Sequence, residues 1–147
     1  MTHPTNGVPA GYPTVTPYMI IRHAAEAIEF YKKAFGATEL LRITNPDGTI
    51  MHAEIKVGDS PIMIGDDSNP APDTSNSPIL LHLYVPDVDR WINRAVAAGA
   101  KLIAAAQDKG DGDRRGSVDD PFGFTWSIST QLEPLSREEI QRRTTAS

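Results

Sequence analysis

Cysteine is absent from this 147-residue chain. That excludes disulfides, thiolate zinc sites and thiol nucleophiles together, and suits a reducing compartment, so the expected location is the cytoplasm. A basic surplus is also missing: 14 Lys and Arg stand against 19 Asp and Glu, for a formal net charge of -5. Nucleic-acid binders carry a basic face, and none is expected here. No apolar stretch approaches the roughly 20 residues needed to cross a bilayer, so no membrane partner is expected. The opening "MTHPTNGVPAGYPTVTP" has neither a charged n-region nor an apolar h-region, and reads as a flexible leader over residues 1–13 rather than a signal peptide.

What is present is a duplicated pattern. Ala24, Ala27, Ile28, Tyr31, Ala34 and Phe35 recur at helical spacing and are followed by Gly36, a fitting C-terminal stop. Val88, Trp91, Ile92, Ala95 and Ala98 repeat this, with Asp87 as N-cap and Gly99 as stop. The two Gly-Ala stops, at 36 and 99, lie 63 positions apart. At the same offset "YMIIR" faces "LHLYV", and each helix is followed by three strand-like runs joined by Gly, Pro and Asp turns. The predicted fold is α+β: two βαβββ modules, over 14–65 and 79–131, forming an open barrel-like cleft. Residues 66–78, rich in Pro, Ser, Asn and Asp, read as the linker, and 132–147 as a tail with a short helix capped by Ser136 and Glu139.

Strand alternation assigns the cleft face. On the third strand Met51, Ala53, Ile55 and Val57 are expected against the helix, with His52, Glu54 and Lys56 opposite. On the last strand Trp126 and Ile128 go to the core, and Thr125, Ser127 and Ser129 to the cleft. Trp91 is likewise expected in the core. Thr16, Tyr18, Leu80, His82 and Tyr84 complete the predicted lining, a mixed polar and aromatic surface suited to a small organic ligand. His52 and His82 each fit either a ligand-orienting donor or an ordinary hydrogen-bonded sheet residue, and either histidine beside Glu54 fits a general base. No nucleophile or other catalytic residue is fixed by the spacing.

The charged run "GDGDRRGSVDDPFGFTW" (110–126) fails as a calcium loop. With Asp111 at position 1, positions 5 and 12 are Arg115 and Phe122, which donate no oxygen. It fails as a phosphate loop too, since carboxylates stand where an anion would bind. It reads as a connection, a strand carrying Arg114 or Arg115, and a turn over Asp120-Pro121-Phe122-Gly123.

The βαβββ order together with "FYKKAFGA", "MHAEIKVGDSPIMIGD", "LYVPDVDRWINRAVAAGA" and "GDRRGSVDDPFGFTW" resembles the vicinal oxygen chelate superfamily, also called the glyoxalase/bleomycin-resistance/dioxygenase family, and within it the PhnB-like branch. The resemblance spans about residues 14–131 and implies a homodimer. It also implies metal ligands at cleft positions of the first, fourth, fifth and eighth strands. Those fall near Thr16, Ile64 or Gly65, Leu80 and Ser127, none of which is a ligand for a divalent transition metal. The resemblance further places Arg114 near the cleft mouth, where it could pair with a ligand anion or with Asp113 or Glu54. The expected function is binding of a small organic molecule without the usual metal, by Tyr18, His52, Glu54, His82, Tyr84, Arg114 and Ser127. The alternative is a divalent-metal-dependent lyase, isomerase or dioxygenase whose ion is held by His52, Glu54 and His82.

Overall fold

The computed structural model describes residues 7–66 and 79–145. The first six residues of the expected leader and positions 67–78 of the expected linker lie outside the described residues. The chain divides into two compact units, Met1–Pro72 and Asp73–Ser147. The first contains β1 (Tyr18–Ile21), α1 (Ala24–Phe35), β2 (Thr38–Thr44), β3 (Ile50–Val57) and β4 (Ser60–Asp66). The second contains β5 (Leu81–Tyr84), α2 (Val88–Ala98), β6 (Lys101–Asp108), β7 (Asp113–Asp119), β8 (Thr125–Gln131) and α3 (Arg137–Thr145). This is the α+β duplication of two βαβββ modules that the 63-residue offset predicts.

The sheets have matching topology, β1-β4-β3-β2 and β5-β8-β7-β6, and neither closes on itself. In each the first strand runs parallel to the last, and the remaining pairs are antiparallel hairpins. One helix covers one face. In the first unit Ala24, Ala27, Ile28, Tyr31 and Phe35 of α1 are buried together with Ile21, Ile50, Ala53, Ile55 and Ile64 of the strands. In the second, Val88, Ile92 and Ala95 are buried with Val118, Trp126 and Ile128. Each such large apolar side chain stabilises the fold by about 1.5–3 kcal/mol on burial.

Both helices are tied to the end of their module's last strand. The Ala24 N–H donates to Asp66 Oδ1 at 3.1 Å, and the Val88 N–H to Thr130 Oγ1 at 2.8 Å. These side chains satisfy N–H groups that a first turn leaves without partners. Asp87 also caps α2 through the Arg90 N–H, 3.2 Å. Gly36 ends α1 in the left-handed conformation at φ 67°, and Ser136 accepts the Glu139 N–H at 3.1 Å at the start of α3.

Two expectations are corrected here. Met51 is 57% exposed, not helix-facing, because the β2–β3 register shifts between Ile43 and Thr44 and Ile50 takes the buried place. Trp91 is half-buried, whereas Trp126 is fully buried as expected. Ser129 keeps the expected face, beside Tyr84 and Arg115, and is completely buried there, accepting a hydrogen bond from Arg115. The turn at 120–123 is organised by the buried Asp120 carboxylate. Its Oδ1 accepts the N–H groups of Phe122 and Phe124, at 2.8 and 3.1 Å, and its Oδ2 accepts the Trp126 indole N–H at 2.8 Å.

Candidate functional site: the open sheet faces

The face of each sheet away from its helix carries the chemistry. In the first unit, register aligns Tyr18, Met63, Glu54 and Leu41 across the four strands, because Tyr18 and Glu54 both pair with Met63 and Leu41 pairs with Glu54. Ile20 sits beside Gly65 in the next row, and His52 and Ile43 pair in the adjoining strands. A chain of hydrogen bonds crosses this face. The Tyr12 hydroxyl donates to Glu54 Oε1; Glu54 Oε2 lies 2.7 Å from His52 Nε2; and His52 Nδ1 lies 3.2 Å from the Tyr18 hydroxyl. With Nε2 protonated toward Glu54, Nδ1 is left as the acceptor for the Tyr18 O–H. The hydrogen bonds from Tyr12 and then His52 hold the Glu54 carboxyl below its ordinary pKa, and the same carboxylate raises the Tyr12 phenol. The structure thus joins three of the sequence-predicted residues, Tyr18, His52 and Glu54, and adds Tyr12 from the leader.

In the second unit the corresponding face carries His82, Ser127 and Ser117 in one row, and Tyr84, Ser129, Arg115 and Gln107 in the next. The His82 and Tyr84 rings lie 4.6 Å apart, and Tyr84 is 73% exposed. Arg115 donates from Nε to Ser129 Oγ at 3.0 Å, and from Nη2 to Asp111 Oδ2 at 2.7 Å and Asp113 Oδ2 at 3.3 Å. The guanidinium keeps Asp111 below the usual carboxylate range. His82 keeps an exposed edge, yet partial burial of its ring, then the charge of Arg115, lower its pKa against an opposing pull from Asp113. Beside this row opens a concavity of about 800 Å³. Its walls include Tyr84, Asp111, Asp113, Arg115, Gln131 and Ile140.

Arg114 points elsewhere. It lies on the helix side of β7, clasped by Asp89 of α2 at 2.8 and 3.0 Å and by Asp108 at 2.9 Å. Its ion pairs are with these two, not with Asp113 or Glu54. The neighbouring Arg115 takes the open-face position instead, and the repeat marks it: 63 positions after His52 is 115, and the two occupy equivalent places on β3 and β7. Strand parity marks it too, since Gly116 and Val118 are buried against the helix and Arg115 and Ser117 alternate with them. Tyr12 carried no periodic signal.

The donor set does not fit the metal that the family resemblance implies. Ile64 is buried on the helix side, and at Gly65 an added Cβ would lie 2.8 Å from the Tyr18 hydroxyl, so the phenol fills the room a ligand side chain would need. Ser127 and Leu80 offer no carboxylate or imidazole. Of the alternative set, His52 Nε2 and Glu54 Oε2 are engaged with each other, 2.7 Å apart. In neither unit do three His, Asp or Glu side chains gather among the described residues in a way that could hold an ion. No helix among the described residues is long and apolar enough to cross a membrane.

Comparison with known proteins agrees with this architecture. An uncharacterised protein of Mycobacterium bovis, Mb0911c, is 38% identical over 137 residues, covering 88% of this chain and 90% of that protein. The protein YjdN of Escherichia coli is 27% identical over 139 residues, covering 78% of this chain and 93% of that protein. Among solved structures, TioX from Micromonospora sp. ML1 superposes with a TM-score of 0.64 at 26% identity, covering 84% of this chain and all (100%) of that one. The fosfomycin resistance protein FosX from Listeria monocytogenes gives a TM-score of 0.67 at 12% identity, over 87% and 97% of the two chains, a likeness of fold alone. The family model described as Glyoxalase/Bleomycin resistance protein/Dioxygenase superfamily matches residues 14–128, nearly the whole two-module region. The chain belongs to the glyoxalase/bleomycin resistance protein/dioxygenase superfamily.

Proposed function

We propose that this chain binds a small organic molecule on its open sheet faces and does so without the superfamily's usual metal. The observation that carries the reading is the concavity of about 800 Å³ beside Tyr84 and Arg115. An exposed aromatic face, an arginine held in place by two aspartates and a serine, and an apolar wall at Val85, Pro86 and Ile140 are the parts of a small-molecule site. Tyr84 stacks on a flat ligand, Arg115 and Gln131 orient its polar groups, and His82, kept neutral by its surroundings, offers a ring nitrogen as acceptor. In the first unit the Tyr18–His52–Glu54 chain supplies further oriented polar groups. The absence of carboxylate or imidazole at Gly65, Leu80 and Ser127 supports the metal-free part of the reading.

The PhnB-like branch belongs to this proposal. Its support is the wording of residues 112–126, to which the PhnB protein from Bacillus cereus adds likeness of fold, with a TM-score of 0.67 at 16% identity. Cytoplasmic location and assembly as a homodimer are parts of the same reading, supported respectively by the lack of cysteine and by apolar side chains exposed on the outer strands.

The test is a fragment screen by protein NMR with metal analysis of the same untagged sample. Ligands are expected to shift the amides around Tyr84, Arg115 and Gln131, in protein free of stoichiometric metal. A stoichiometric divalent ion that is lost in His52→Ala or His82→Ala would replace this reading with the metal-dependent lyase, isomerase or dioxygenase.

A further inference from the structure

The geometry points to a second chemical capacity, carried by residues of the first unit. Tyr18, with His52 and Glu54, forms a nucleophilic hydroxyl that accepts acyl groups from activated acyl donors, namely aryl esters and thioesters. The order of groups is hydroxyl, imidazole, carboxylate, the arrangement by which hydrolases activate an otherwise weak oxygen nucleophile. The Tyr18 hydroxyl lies 3.2 Å from His52 Nδ1, and His52 Nε2 lies 2.7 Å from Glu54 Oε2.

Three features fit this arrangement to chemistry rather than to packing alone. The carboxylate is fixed at both oxygens, by Tyr12 on Oε1 and His52 on Oε2, so it holds the imidazole with Nδ1 turned toward Tyr18. The side chains grade outward: those of Glu54 and His52 are 15% and 24% exposed, while Tyr18 is 49% exposed and open to a reactant. Tyr18 is also seated rather than free to swing, because its hydroxyl occupies the space over Gly65 that any larger residue would fill.

The step balances without a co-reactant. The Tyr18 oxygen attacks the acyl carbon while its O–H proton passes to His52 Nδ1, and the imidazolium that forms faces the Glu54 carboxylate. The bond from the acyl carbon to the leaving oxygen or sulfur breaks, and the leaving group recovers the proton from Nδ1. Water then attacks the acyl-tyrosine by the same route, giving the carboxylic acid and the free phenol. The nucleophile itself selects the donor class. A phenol titrates near 10 and a thiol near 8.5 (both approximate reference values), so acyl transfer to tyrosine runs favourably from leaving groups of comparable or lower basicity. Alkyl esters and amides, whose leaving groups are far more basic, are excluded.

The experiment uses the full chain and p-nitrophenyl acetate as the probe, with acetylation followed tyrosine by tyrosine by peptide mass spectrometry. Tyr84 is the internal reference, because it is more exposed than Tyr18, at 73% against 49%. Exposure alone makes Tyr84 the faster of the two; the relay makes Tyr18 faster, by roughly a hundredfold, the low end of general-base catalysis. His52→Gln is expected to bring Tyr18 down to the rate of Tyr84. Gly65→Ala should do the same without altering the relay residues, since its Cβ would stand 2.8 Å from the Tyr18 hydroxyl and push it off His52. Circular dichroism establishes that each variant is folded, and Tyr84 acetylation should be unchanged in both. Tyr18 reacting no faster than Tyr84, or at the same rate in folded His52→Gln and Gly65→Ala, would overturn the assignment.

Discussion

The Glu54 carboxylate holds donors on both oxygens, and its two partners give the first unit a defined dependence on pH. Its pKa is lowered in the fold by Tyr12 and His52, so its share of the stability is present above the unfolded value of about 4.3 and is lost as pH falls through the lower folded value. The Tyr12 phenol is raised, so its share is present below about 10 and is lost as pH climbs through the higher folded value. Tyr12→Phe should therefore lower the urea midpoint at pH 7, and the difference from the parent should be smaller at pH 3. An equal difference at both pH values would show that Tyr12 acts by packing and not through Glu54. On the second unit the analogous residue is Arg115, and its two carboxylates and serine leave it pre-oriented beside Tyr84 rather than swinging in solvent. Pre-orientation matters because a side chain already fixed loses less entropy when a ligand arrives.

At the scale of elements, each module is a sheet with one face under a helix, and that contact depends on what stands beneath the helix. Gly116 of β7 faces α2 so closely that an added Cβ would lie 2.5 Å from Ile92 Cδ1 and 2.7 Å from the Ala104 carbonyl oxygen. Because one of these neighbours is backbone, it cannot simply rotate away. Gly116→Ala should cost about 1–3 kcal/mol of stability, the range for overpacking a core. Gly110→Ala, with nothing within 4 Å, is the matched control and should change little. Denaturant midpoints with unchanged slopes test the pair; equal midpoints would mean that α2 adjusts freely over β7. Much of this layout is legible in the sequence. The 63-residue repeat carries the strand–helix–strand order, and simple alternation places His52, Glu54, His82 and Tyr84 on open faces. Alternation misplaces Met51 because the register shift beside it is a property of strand pairing, invisible in one strand alone. It also misses the relay, since the Tyr12–Glu54 contact joins residues 42 positions apart and depends on how the leader folds back. The motif around Arg114 and Arg115 does not distinguish the two, but the buried Gly116 and Val118 on either side of Ser117 place Arg115 on the open face.

At the scale of the molecule, both sheets end in outer strands with exposed apolar residues. These are Leu40, Leu41 and Ile43 on β2, and Leu102 and Ile103 on β6. Outer strands with unpaired backbone and apolar side chains favour association. Sedimentation equilibrium should accordingly report a dimer, and Leu41→Lys with Leu102→Lys should shift it toward monomer; a parent chain monomeric at high micromolar concentration would contradict this. The net charge of -5, with the clustered carboxylates of residues 108–120, supports the proposal of a small molecule rather than nucleic acid as the partner. The most direct measurement is the amide NMR spectrum of the full chain against a library of small aromatic and amphipathic fragments. Hits are expected whose shifts cluster at Tyr84, Arg115 and Gln131 and vanish in Arg115→Ala combined with Tyr84→Ala. Hits that map elsewhere and survive that double substitution, or a screen with none, would contradict that expectation.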